Sequence, residues 1–321
     1  MFKVLLTACV FLQSLFLPLE SGSIADKIAQ VEQVIQQDPG NRGVSHFYTT
    51  ALFDAAKSLE KANHVAILTG FFIPSAQQPE TDGPLGCLFL AESLAALGKQ
   101  VTIVTDQYCF PAVQACYEII QDKIPSSLLS ICVFPEKQEE REAFVERFCQ
   151  KIDCLVSIER VGRSVDGTYR TMRGIDITDK TAPLDDLFLY AQSHLERPIV
   201  TIGIGDGGNE IGMGGKLEEV KVYIPKGELI ACTVPADHLI VTGVSNWGGY
   251  ALAAALWCGA NQEGNRMKEV YPSSEEQFKM LENMVLHNCC DGVLGKPALS
   301  ADGLEWEVHA AILEKIRQII E

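Results

Sequence analysis

Apolar positions along the chain first follow a helical rhythm and then switch to alternating short and long runs. Ile24, Ile28, Val31 and Ile35 recur at helical spacing until "DPGNRG" (38–43) stops the helix, and a second helix is predicted over about 47–61. From His64 onward, brief apolar runs alternate with amphipathic ones. "HVAILTG", "QVTIVTD", "LSICVFP", "CLVSIER" and "PIVTIGIG" read as strands, and the later runs "ELIACTV" and "DHLIVTGVSN" continue the pattern. Between them "PLGCLFLAESLAALG", "PAVQACYEII", "KQEEREAFVERFCQ", "LDDLFLYAQSHL" and the small-residue run "WGGYALAAALW" read as helices. Two more helices close the chain, over about 275–288 and 303–320. This alternation predicts an α/β fold: a doubly wound, mostly parallel, Rossmann-like sheet with helices on both faces and extra C-terminal helices. No linker splits 24–321, which reads as a single unit.

Composition narrows the function classes. Apolar residues make up 47 % of the 321, ample for a packed core, and the formal charge of −16 argues against nucleic-acid binding. Residues 1–23 hold one lysine and an apolar run over 4–17, too short for a membrane span. That segment has the shape of a secretory leader and lacks the arginines of a transit peptide. Eleven scattered cysteines without a CxxC pair read as buried free thiols, which suit a reducing compartment. Leader and thiols therefore point to different compartments.

In doubly wound sheets ligands lie beyond the carboxyl ends of the strands, so the residues after each strand carry the candidate chemistry. The first exit holds Glu80 and Asp82, and the second Asp106. From Glu159 to Arg173 there are four arginines against two acids, a local +2; Arg160 and Arg163, nearest the strand end, are the candidate forks for carboxylate or phosphate. The stretch "TIGIGDGGNEIGMGG" contains seven glycines around Asp206, Asn209 and Glu210. Gly203, Gly205 and Gly208 satisfy G-x-G-x-x-G, yet the flanking acids repel a pyrophosphate. Two readings stay open: tight-turn glycines with Asp206 capping a following helix, or a cradle in which the amides of Gly205 and Gly207 and the Asn209 side chain hold a carboxylate or oxyanion. In the second, Asp206 or Glu210 receives an ammonium or a metal. Ser245 and Asn246 stand at a helix start as cap or hydrogen-bond donors, and the six histidines form no metal-binding pair.

"DPGNRGV", "ETDGPLG", "IERVGRSVDGTY", "PLDDLF", "GDGGNEIGMG" and "GVSNWGGYALA", in this order over about 38–257, resemble the D-glutamate cyclase C-terminal domain family. The resemblance implies a mitochondrial enzyme that converts D-glutamate to 5-oxo-D-proline and water, and a longer protein with an additional N-terminal domain. With that ligand, Glu159 or Asp206 is the expected base, and Arg160 and Arg163 are expected to neutralise the carboxylates. The glycine-loop amides and Asn209 would face the oxyanion, while Asp82 and Asp106 would hold the ammonium or a divalent ion. No cofactor is expected, with a divalent cation left open, and the oligomeric state is undetermined. Two rivals remain: Mg²⁺-dependent phosphate chemistry on Asp82, Asp106, Asp206 and Glu210, and a non-catalytic module that binds an acidic metabolite.

Overall fold

A computed structural model describes residues 23–193, 197–260 and 271–321, so the leader inferred for 1–23 lies outside the described residues apart from Ser23. Ser23 caps helix α1 (Ile24–Ile35): its hydroxyl accepts the Asp26 N–H while the Asp26 carboxylate accepts the Ser23 N–H. Six strands form the central sheet: β1 (His64–Thr69), β2 (Gln100–Thr105), β3 (Leu129–Val133), β4 (Cys154–Ile158), β5 (Val200–Gly205) and β6 (His238–Val241). They lie in the order β3-β2-β1-β4-β5-β6, every neighbouring pair parallel. The expected doubly wound α/β fold is the one observed.

Strand alternation divides the apolar residues between two cores. Val65 and Ile67 of β1 face one core with Ile103, Val156 and Ile202; Ala66 and Leu68 face the other with Val104 and Leu155. The first core is covered by α1, α2 (Leu52–Lys61), α3 (Pro84–Ala96) and α4 (Phe110–Ile120). The second lies under α5 (Gln138–Cys149), α6 (Asp185–Ser193), α7 (Leu217–Tyr223) and the single turn α8 (Gly227–Ile230). Helices α9 (Ser245–Ala260), α10 (Ser274–Leu286) and α11 (Trp306–Ile320) return to the first core. Helix α3 is apolar nearly all round because it is buried between the sheet and α9.

Several boundaries differ from the periodicity. The helix expected over 47–61 starts only at Leu52; before it, Val44–His46 forms a 3-10 turn and Phe47 is buried. The run "ELIACTV" divides into α8 and an extended, unpaired stretch. No helix follows the glycine-rich loop directly: 206–213 stays irregular, then a 3-10 turn (Gly214–Lys216) leads into α7. The helix expected from 303 begins at Trp306, after a ribbon of Ser300–Ala301 against Leu304–Glu305. All ten cysteines among the described residues are free thiols, and only Cys132 is less than fully buried. No described helix is long and apolar enough to cross a membrane. The strand order reverses between β1 and β4, and there a crevice opens beyond their carboxyl ends.

Candidate active site

Three strand exits deliver carboxylates to that crevice. Asp82 arrives from the long β1 exit, Glu159 directly follows β4, and Asp206 directly follows β5; all three are buried, and one oxygen of each lies within 4.8 Å of the others. Glu159 sits at φ 45°, a left-handed backbone that costs a side-chain-bearing residue about 1–3 kcal/mol and is kept mostly where a site demands it. The N-terminus of α9 points at the group. The Ser245 N–H donates to Asp82 (3.1 Å) and Asp206 (2.9 Å), the Asn246 N–H donates to Asp82 (2.9 Å), and the Ser245 hydroxyl donates to Glu159 (2.5 Å). The positive end of a sixteen-residue helix thus stabilises three acids. Helix α3 is capped in return, for Asn246 Oδ1 accepts the N–H groups of Gly83 (2.9 Å) and Gly86 (2.8 Å).

The counter-charge comes from a residue not marked out by its position after a strand. In "DPGNRG", the Asp38 carboxylate accepts the N–H groups of Arg42 and Gly43 at 2.8 Å each, and Gly43 turns the chain at φ 101°. The tight loop carries the Arg42 guanidinium into the crevice, where it bridges Asp206 and Asp302. Asp302 sits at the tip of the 300–305 ribbon, which His309 supports: its Nε2 faces the carbonyls of Ala301 (3.1 Å) and Leu304 (3.2 Å), and Trp247 donates to its Nδ1 (3.0 Å). Burial lowers His309 to about 4, so the ring is neutral.

The resulting cleft encloses about 220 Å³. Its walls include Phe71, Glu80, Glu159, Arg173, Asn209 and Asp302. Desolvation, then mutual repulsion, raises Glu80, Asp82 and Glu159 well above the usual carboxylate range. Asp206 and Asp302 are also raised chiefly by desolvation, but Arg42 opposes the shift and holds them to about 6 and about 7. An oxygen-only trio of this kind can hold a hard cation or an ammonium.

The glycine-rich loop answers its own charge. The Glu210 carboxylate folds back and accepts the N–H groups of Asp206 (3.1 Å), Gly207 (2.6 Å) and Gly208 (2.7 Å). An internal carboxylate therefore occupies the amide nest, and of the two amides expected to cradle an oxyanion, that of Gly207 is already bonded. Gly205 and Gly207 make room for this turn, since a Cβ at either would lie 2.9 Å from the Glu210 side chain. Asp206 caps α9 rather than a helix following the loop. Asn209 lines the cleft, its amide donating to the Arg170 carbonyl at 2.8 Å.

The two expected arginine forks are turned to other work. Arg160 is 1 % exposed and donates to Asp106 (2.6 Å) and to the carbonyls of Gly70 (2.9 Å) and Ala182 (2.7 Å). Asp106 is correspondingly occupied, accepting from Arg160 and from the N–H groups of Tyr108 and Cys109. Arg163 grips Asp185 through Nε (2.8 Å) and Nη2 (3.0 Å), pairs with Asp186, and does not line the cleft. Their partners, Asp106 and Asp185, were present in the sequence, but nothing in linear spacing pairs residues 54 and 22 positions apart. Of the four arginines in the stretch, Arg173 is the one that reaches the cleft wall.

The family model described as "D-glutamate cyclase-like, C-terminal" matches residues 31–317. The human protein named "D-glutamate cyclase, mitochondrial" is 36 % identical over 326 aligned residues, covering 92 % of this chain and 52 % of its own length. The chain thus spans about half the length of that curated relative. With a match running from α1 to α11 and through every strand exit that builds the cleft, the chain belongs to the D-glutamate cyclase-like family.

Proposed function

We propose that this chain is a lyase that converts D-glutamate to 5-oxo-D-proline and water in the cleft at the β1–β4 switch point. One observation carries the reading beyond the family relation: a small cleft is lined by two arginines, Arg42 and Arg173, together with buried carboxylates. That pattern complements a molecule with two carboxylates and one ammonium. At about 220 Å³ the cleft suits a small metabolite, below the range of drug-sized pockets. The bridging guanidinium of Arg42 and Arg173 at the cleft wall take the carboxylate role assigned from sequence to Arg160 and Arg163.

Lactam formation joins the α-nitrogen to the γ-carboxyl carbon and expels one oxygen of that carboxylate as water, which carries away two of the three ammonium protons. The ammonium must first lose a proton, and the acidic wall accepts it. Carboxylates held near about 6 and about 7, as Asp206 and Asp302 are, suit proton transfer at neutral pH. Guanidinium contact reduces the charge on the γ-carboxylate so that nitrogen can approach it. Holding the substrate bent, with nitrogen and γ-carboxyl carbon about 3–3.5 Å apart, supplies much of the remaining rate. The phosphate alternative loses ground because Glu210 fills the amide nest a phosphate would use. The relative's name supports a mitochondrial location.

The test is incubation of the purified chain with D- and L-glutamate separately, reading 5-oxoproline by mass spectrometry. Lactam from the D-isomer is expected. Thermal stabilisation by D-glutamate with no lactam would instead make the chain a binding module.

A further inference from the structure

Five carboxylates gather at this cleft (Glu80, Asp82, Glu159, Asp206 and Asp302) against the guanidiniums of Arg42 and Arg173. Arg42 bridges Asp206 and Asp302, and Arg173 donates to the Val293 carbonyl at 3.0 Å. A substrate with one ammonium and two carboxylates does not correct this excess of negative charge. The three acids whose oxygens approach within 4.8 Å are tied down from behind by Ser245 and Asn246, which fixes their direction as second-sphere donors fix metal ligands. A separate observation concerns Glu80. It is 6 % exposed and lines the cleft, and its carboxylate has no hydrogen-bond or salt-bridge partner among the described residues. Its Oε2 fills the space a Cβ would need at Gly292, so glycine there leaves room for the carboxylate. A buried carboxylate with no protein partner is costly unless something else satisfies it.

We propose that Asp82, Glu159 and Asp206 form the ligand set of a hard divalent cation of the Mg²⁺ or Mn²⁺ class, with Glu80 in the wall of the same cleft. Oxygen-only ligands without histidine or cysteine select hard ions over zinc or copper. Such an ion keeps open positions for water or a substrate carboxylate, which it would polarise as a Lewis acid. The assignment uses the same cleft as the proposed reaction but does not depend on which substrate enters it.

Mn²⁺ is titrated into the EDTA-stripped, dialysed full chain and the free-ion EPR signal is followed. One Mn²⁺ per chain, displaced by excess Mg²⁺, is expected, and Glu159→Gln should weaken binding at least about tenfold. The glutamine keeps an acceptor for Ser245. If that variant does not fold, Glu80→Gln serves, since the Glu80 carboxylate has no partner among the described residues to lose, and it too should weaken binding. A free-ion signal undiminished by folded wild-type protein would overturn the assignment, as would binding unaltered by the variant used. Mn²⁺ binding without lactam formation leaves the cation site standing and removes the cyclase reading; lactam formed in EDTA by a chain that binds no Mn²⁺ does the reverse.

Discussion

At the scale of single residues, the division of labour among arginines is the main lesson of the site. A guanidinium is useful to a ligand only if it faces the cleft. Arg160 and Arg163 stand nearest the strand end, but Asp106 and Asp185 take them. Arg42, from a loop that reads as a helix terminator, reaches the cleft instead. Arg163→Ala is therefore expected to act on stability. It strands the fully buried Asp185, a loss of about 2 kcal/mol in urea unfolding, and leaves kcat/KM of the folded protein near wild type. A large fall in kcat/KM at unchanged stability would contradict this. Arg42→Ala is expected to lower kcat/KM for D-glutamate at least about tenfold, roughly 1.4 kcal/mol. Arg42→Lys should recover little, because one ammonium does not reproduce a planar fork bridging two carboxylates. Wild-type kinetics in either variant would remove Arg42 from the mechanism.

At the scale of elements, the site is as good as the α3–α9 crossing that aims it. The two helix starts cap each other, Asp82 serving α9 and Asn246 serving α3, and this exchange requires the backbones to touch. Glycines permit it: a Cβ at Gly86 would lie 2.8 Å from the Asn246 backbone, and one at Gly249 would lie 2.6 Å from the Gly86 carbonyl. Gly249→Ala raises intrinsic helix propensity yet is expected to destabilise by about 1–3 kcal/mol, because the helices must part. Urea denaturation decides the sign, and a stabilised variant would show that the crossing yields more easily than its geometry implies. The motifs "ETDGPLG" and "GVSNWGGYALA" were legible as a strand exit and a small-residue helix. Their mutual capping was not, since it joins positions 160 and 164 residues apart.

For the whole molecule, gathering so many acids under one roof must appear in the pH dependence. Asp206 and Asp302, with ordinary values of 3.8, are raised in the native state to about 6 and about 7. The folded chain then binds more protons than the unfolded one in that interval, so the stability these groups contribute falls as pH rises from about 4 to about 7. The melting temperature of the metal-free chain should decline across this window, and Asp302→Asn should flatten the decline. A wild-type curve no steeper than that of the variant would count against strong coupling in the cluster.

What the sequence by itself determined was the fold class and the location of the chemistry. Alternating apolar runs dictate strands buried on both faces and helices buried on one, and such units pack as a parallel sheet covered by helices, with its ligand crevice at the strand ends. Asp82, Glu159, Asp206, Asn209, Ser245 and Asn246 were all read from those exits, and the structure brings them together at one switch point. Tertiary structure decided which of their charges are free. Whether Glu210 faces a ligand or fills its own loop's amides, whether Arg160 meets a substrate or Asp106, and whether Arg42, Glu80 and Asp302 join the site at all depend on contacts between segments distant along the chain. Local periodicity carries the hydrophobic effect, which is nearly additive along the sequence; charge pairing depends on separations of a few ångströms, and only folding sets those.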